Sequence, residues 1–506
     1  MAEPPVSTGE LPDLADIQGI VRFGHGRLTE ASFFLLRIAD AGAARAWLRD
    51  APVTTAVTST PPPATALQVA FTRQGLEAMG LRPEVIQGFS PEFVAGMSEP
   101  NRARRLGDVE ANDPAGWDWG GKEGAVPHLV VMAYAREGGL AAWEEAVQAE
   151  PWPTAFELLA RLATFDIGDI EPFGFPDGIS QPHLDWQRKL PVGEKERLTY
   201  SNMLALGEVL LGYPNEYGLY TERPLINPST DDRAAGLPLA EDVPERCDLG
   251  RNGSYLVFRQ LHQDVRGFWQ FLDHAAGSDP VRRTELAESM VGRRITGEPL
   301  APPTSETIPG NGSPPGALND FTYAGGPDGT HCPFGAHIRR ANPRTADLPG
   351  GQQDLWSRLL RTLGFKRAGF REDFVASTRF HRLLRRGREY GTELLPDDAL
   401  EPGPSDEPRG IHFICLCANI ARQFEFVQNA WMTSAKFDGL PDEADPLLGN
   451  RVPLRGGTST NRFSMPRHDG PPQRIEGLPR FVTVRGGAYF FLPGIRALRY
   501  IAGGLP

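Results

Sequence analysis

The chain has 506 residues, too long for a single ordinary core, and 40% of them are hydrophobic, enough to fill more than one. Its formal charge of −12 argues against nucleic acid or an anionic membrane as a partner. Four cysteines are too few for a disulfide framework, and no stretch reaches the roughly 18 consecutive apolar residues of a membrane-spanning helix.

The N-terminal residues, MAEPPVSTGELPDLADIQ, lack the basic stretch and apolar run of a secretion signal, so a cytoplasmic protein is expected. After an apolar run at 19–23, residues 31–38, ASFFLLRI, read as a strand, and 41–48 as a helix. A strand at 64–71, a short helix near 75–79, an apolar strand at 128–135 (HLVVMAYA) and a helix at 140–148 follow. The second half has the same texture: strand 253–261, helix 265–274, strand 411–417, helix 419–431, a strand or hairpin at 481–492, and a last helix after Pro493. This order predicts an α+β fold, with antiparallel sheet covered on one face by helices, and hints at duplication. Long Pro/Gly-rich or polar loops are expected at 227–245, 298–330, 397–409 and 438–476, and the one leading into His331 is expected to shape a site.

The metalloprotease, nucleophile-elbow and P-loop signatures HExxH, GxSxG and GxxxxGK[ST] do not occur. Cys415 and Cys417 share one face of a strand and could join Cys332 and His331 around zinc, but the spacing is unlike the common zinc modules. Two segments carry more. In residues 171–182, EPFGFPDGISQP, Asp177 sits on a tightly bent backbone between aromatics, where apolar surroundings can tune a carboxylate for proton transfer. Asp177-Gly178 also fits a plain turn. In residues 331–344, HCPFGAHIRRANPR, a histidine stands beside Arg339, Arg340 and Arg344, as suits a metal whose cofactor carries carboxylates; a basic surface loop is the plainer alternative.

Taken together, FGFPDGISQP and CPFGAHIRRANPR resemble the two signatures of the dye-decolourising (DyP-type) haem peroxidases. The likeness continues through NGSYLVFRQLHQDVRGFW at 252–269, HRLLRRGREYG at 381–391, GIHFICLCANIARQFEFVQNAW at 410–431, and residues 481–492. It covers most of the chain. The resemblance implies two ferredoxin-like domains, set here at 1–225 and 246–506, with haem b held by the second. It implies that His337 is the iron ligand, Asp177 the distal acid–base, and Arg385 the distal arginine, with Arg386 its neighbour and rival. Arg344 is the expected propionate contact, and Glu425 or Asp264 the expected acceptor for the histidine's second N–H. Glu389 departs from the family's RRGxPYG segment, where proline is usual, and residues 353–363 look like a helical insertion.

The activity so implied is reduction of hydrogen peroxide with one-electron oxidation of organic donors such as dyes or phenols. Asp177 would move a proton between the peroxide oxygens, and Arg385 would stabilise the charge that develops. Surface Trp or Tyr side chains, Tyr390 among them, would pass electrons from bulky donors. A non-catalytic haem carrier or sensor on the same fold is the alternative, and whether copies of the chain associate into a homo-oligomer is left open.

Overall fold

Two stretches of the chain build the same four-strand pattern. The computed structural model describes residues 10–122, 125–166, 168, 170–190, 200–302, 318–344, 378–401, 403, 407–451 and 459–503. The helical insertion expected at 353–363 and part of the 298–330 loop lie outside the described residues.

The first stretch contains β1 (Glu30–Ile38), α1 (Ala41–Asp50), β2 (Thr65–Phe71), β3 (Leu129–Ala135), α2 (Leu140–Val147) and β4 (Phe156–Ala163). Its strands lie in the order β4-β1-β3-β2, all antiparallel. The second contains β5 (Ser254–Gln263), α3 (Val265–Ala276), α4 (Pro280–Val291), α5 (His337–Ala341), β6 (Leu384–Arg385), β7 (Arg388–Tyr390), β8 (Gly410–Cys417), β9 (Val482–Leu492) and α6 (Ile495–Ile501). Here the order is β9-β5-β8-β6, with β7 also on β8, again antiparallel. Numbered within its own stretch, each sheet runs fourth-first-third-second, so the fold is a pair of ferredoxin-like α+β units. A single register pair, Phe71 with Phe491, joins them edge to edge.

Period-two alternation gives each sheet two apolar faces. On one, Phe33, Leu35, Val130 and Met132 share a core with Leu256, Phe258, Ile414 and Leu416 of the other unit. Phe33 meets Phe258 edge-on at 5.7 Å between centroids, so the two sheets pack face to face. On the other face, α1 buries Ala44, Trp47 and Leu48, and α6 buries Ala497, Leu498 and Ile501. Asp40 starts α1 by accepting the Ala43 N–H, satisfying one of the unpaired donors of its first turn. The outer edges approach each other as well: the Phe165 N–H donates to the Glu389 carbonyl at 2.9 Å, and His412 Nε2 lies 3.0 Å from the Ala163 carbonyl oxygen.

Two elements differ from the sequence expectation. β4, FELLARLA, is composed of helix formers and gave no strand signal, yet pairing with β1 holds it extended at a sheet edge with Leu158 half exposed. The helix expected at 419–431 is instead π-helical over Ala421–Glu425 and Val427–Thr433. Such wider turns recur at functional sites, and this one presents Phe424, Val427, Gln428 and Met432 to the central cavity. Among the described residues no helix is long and apolar enough to cross a membrane.

Candidate active site

The segment 171–182 leaves β4 and folds back under its own acidic residue. Glu171 accepts the N–H groups of Phe173 and Phe175 at 3.0 and 3.1 Å, and Gln263 Nε2 donates to it at 2.7 Å. Gly174 and Gly178 take φ of +99° and +75°, a region that a side chain disfavours. The loop is therefore a stapled turn, with Asp177-Gly178 on its bend. Asp177 is aimed into a cavity of about 260 Å³ between this loop and the odd-numbered face of β5 and β8.

Arg385 reaches the same cavity from β6, and its Nη1 donates to Asp177 Oδ1 at 2.7 Å. Burial opposes ionisation of Asp177, but the Arg385 guanidinium, the Gly178 N–H and the charge of His337 outweigh it and hold the carboxyl below its usual range. The adjacent Arg386 points the other way, as strand alternation requires, and donates to the carbonyls of Ile20 and Val21 at 2.7 and 2.8 Å. It does not reach the cavity.

His337, which lines the same cavity, opens α5. Its Nδ1 lies 3.0 Å from Asp445 Oδ2, and the other oxygen of Asp445 accepts the N–H groups of Leu447 and Leu448. Burial disfavours the imidazolium, yet the Asp445 charge and hydrogen bond raise the His337 pKa. The acceptor is thus neither of the two expected from sequence. Glu425 is consumed by Arg102 (2.8 Å), Arg105 (3.3 Å) and Tyr489 (2.9 Å), and Asp264 caps α3 through the Gly267 N–H. Arg339 and Arg340, adjacent to His337 in sequence, are also structural. Arg339 lies between the Tyr323 and Phe334 rings and donates to the Cys332 carbonyl, while Arg340 donates to the carbonyls of Trp431, Ser434 and Glu443.

Arg344 lines the cavity, stacked 3.8 Å from the centroid of Phe321 and donating to the carbonyls of Asn319 and Phe321. Two arginines that sequence reasoning missed line it too: Arg293, bonded to the Gly297 and Leu318 carbonyls, and Arg382, bonded to Ser201 and Asn202. None of the three makes an ion pair with a carboxylate among the described residues. Phe321 and Tyr323, from the described part of the loop before His331, complete that wall. Tyr390 turns away, its ring stacked on His412 at 4.5 Å and its hydroxyl donating to the Leu261 carbonyl. Cys332 packs beside Tyr323, in a different cluster from Cys415 and Cys417, so the cysteines do not converge as a zinc site would need.

The side chains of His337, Asp177 and Arg385 keep 26%, 34% and 32% of their surface, and all three line this interior space. Polar groups so placed need an occupant. An imidazole backed by a carboxylate, apolar walls from Phe175, Leu261, Phe413 and Leu447, and three guanidinium groups without carboxylate partners among the described residues fit haem: a ligand for iron, a slot for the macrocycle, and cations for its propionates.

A fold and site of this kind suit a haem enzyme. No family model matches the chain. It is 27% identical to Peroxidase 2 of Mycetinis scorodonius, an alignment covering 96% of this chain and 87% of the relative. It is also 27% identical to the multifunctional dye peroxidase DyP2 of Amycolatopsis, over 86% of this chain and 81% of that one. Among solved structures, a fungal DyP-type peroxidase from Auricularia auricula-judae shares the fold with a TM-score of 0.70 and 23% identity, covering 98% of this chain and all of the other. The corresponding values for a DyP-type enzyme of Anabaena are 0.67 and 22%, over 96% of this chain and 94% of that one. Over nearly its whole length the chain is thus similar to dye-decolourising (DyP-type) peroxidases, a family of haem enzymes.

Proposed function

We propose that this chain is a haem b peroxidase that reduces hydrogen peroxide and oxidises organic donors, dyes or phenols among them, in one-electron steps. The observation that carries the reading is the convergence of two polar pairs, Asp445–His337 and Arg385–Asp177, on one largely apolar cavity. His337 would hold the iron, with Asp445 fixing its tautomer and raising its basicity. Arg344, Arg293 and Arg382 would hold the propionates. When bound, haem would supply the redox chemistry that couples peroxide reduction to donor oxidation.

Asp177 does the proton work. Held ionised by Arg385, its carboxylate accepts the proton of the nearer peroxide oxygen and returns it to the departing one, so that the leaving group is water rather than hydroxide. Arg385 carries a fixed positive charge toward the same space and stabilises the negative charge that develops as the O–O bond breaks. The apolar walls exclude bulk water and strengthen both effects. A haem carrier or sensor has no use for this acid–arginine pair, which favours the enzyme reading.

The deciding experiment is an absorption spectrum of the purified protein before and after one equivalent of hydrogen peroxide. A Soret band that shifts and recovers on addition of a dye is the expected result. A haem spectrum indifferent to peroxide would support the carrier, and a colourless protein that takes up no haem would overturn both.

A further inference from the structure

Reduction of one peroxide to two waters consumes two electrons and two protons beyond the proton that Asp177 shuttles within the peroxide. A bulky donor at the surface can deliver an electron over a distance but cannot bring its proton into a closed cavity. This requirement rests on the peroxidase reading above, and it calls for a second route from solvent to Asp177.

The seam between the two units supplies carboxylates for such a route. Glu389 stands on β7 in register with Ile411 of β8, a residue of the cavity wall, so it shares the sheet face on which Phe413 and Arg385 meet the cavity. Its backbone carbonyl accepts the N–H of Phe165, which sets it beside Asp166, an exposed residue just past β4. The charged groups facing Glu389 are Asp177 from the distal loop, Asp166 from the end of β4, and Arg388 on its own strand. His412, the residue after Ile411, occupies the opposite face and is bonded to the Ala163 carbonyl. Arg388 is turned to the carbonyls of His25 and Leu28. Glu389 therefore sits half-buried between an exposed acid and the distal acid, with its carboxyl in no ion pair among the described residues.

We propose that Glu389 is a positioning residue for protons, passing them from the solvent side at Asp166 to Asp177 during donor oxidation. In each transfer the Glu389 O–H bond breaks as an O–H bond forms at Asp177, directly or through water, and solvent reprotonates Glu389. Its surroundings suit a proton carrier: burial, with Asp177 adding to it, pushes the carboxyl up to about 7, so it carries a proton at neutrality when Asp177 does not.

The experiment compares wild type, Glu389→Gln, Glu389→Asp and Glu171→Gln, all haem-loaded, with an anthraquinone dye as donor. Glu171 is included because its carboxyl is also raised to about 7. Glu389→Gln should slow turnover roughly tenfold or more at pH 7 and abolish an inflection near neutrality in the pH profile. Glu389→Asp should restore much of the rate, and Glu171→Gln should keep the inflection. Infrared titration gives a readout independent of turnover: of the protonated-carboxyl bands that titrate near neutrality, Glu389→Gln should remove one and Glu171→Gln another, in haem-free as in loaded protein. A Glu389→Gln profile that superimposes on wild type, equal impairment of the Gln and Asp variants, or loss of the inflection in Glu171→Gln instead would overturn the relay while leaving the peroxidase intact. Wild type that does not react with peroxide would overturn both.

Discussion

Arg385 Nη1 and Asp177 Oδ1, 208 residues apart in the chain, meet at 2.7 Å inside a cavity that neither unit closes alone. The contact sets the protonation state of the acid, because the guanidinium offsets the burial that would otherwise keep the carboxyl neutral.

Asp177→Asn keeps the shape of the side chain and removes its basicity. Peroxide-driven dye oxidation should fall by about 10²–10⁴-fold while the Soret band of the resting protein persists. Stopped-flow mixing with peroxide measures this, and unchanged rates would remove Asp177 from its role.

Arg385→Leu and Arg386→Leu should separate cleanly. The first removes the cavity charge and should cost on the order of 10²–10³-fold in peroxide reaction. The second removes the Arg386 donor from the Val21 carbonyl and one of two donors from that of Ile20, so it should lower stability by about 1–3 kcal/mol and leave the rate per folded molecule nearly unchanged. Denaturant melts and peroxide kinetics on the same samples decide the matter. Comparable rate losses in both would put the wrong arginine in the cavity.

His337→Ala should lose haem or bind it far more weakly. Asp445→Asn should weaken haem retention or activity roughly 10–100-fold, since the imidazole loses the group that orients it. Glu425→Gln, by contrast, should leave the Soret band in place and disturb only the contacts to Arg102, Arg105 and Tyr489. If Glu425→Gln behaved like Asp445→Asn, the acceptor would be misassigned.

Glu171 gives a pH prediction for the haem-free protein. Its folded pKa, about 7, lies above the unfolded value, so its protonation favours the folded state. That contribution is complete below the ordinary glutamate range and is lost as pH rises through about 7. Wild type should lose stability over that window, and Glu171→Gln should show a flatter dependence. Identical pH–stability curves for the two would contradict the assignment.

Much of the fold was legible because period-two and helical patterns are local, as at β1, β3, β5 and α3. The site was half legible. Asp177, His337 and Arg385 lie in segments whose composition is unusual, and the resemblance of those segments supplied their roles. Asp445 was not legible, since it lies 108 residues from His337 in an expected loop where only tertiary packing selects one carboxylate over Glu425. The choice between Arg385 and Arg386 rests on which of two adjacent residues faces inward, and a two-residue strand is too short to display a period. Arg293 and Arg382 gave no signal because a cavity-facing arginine and a surface arginine read alike in one dimension.

The single register pair between Phe71 and Phe491 has a consequence for how the protein comes into being. Asp177 follows the N-terminal sheet, whereas His337 and Arg385 belong to the C-terminal one. A nascent chain that has folded only its first sheet has an acid with nothing to act on, and an isolated second sheet would have an iron ligand with no acid opposite. On the proposed reading, the acid and its arginine come together only once both sheets have docked, so peroxide chemistry waits on assembly.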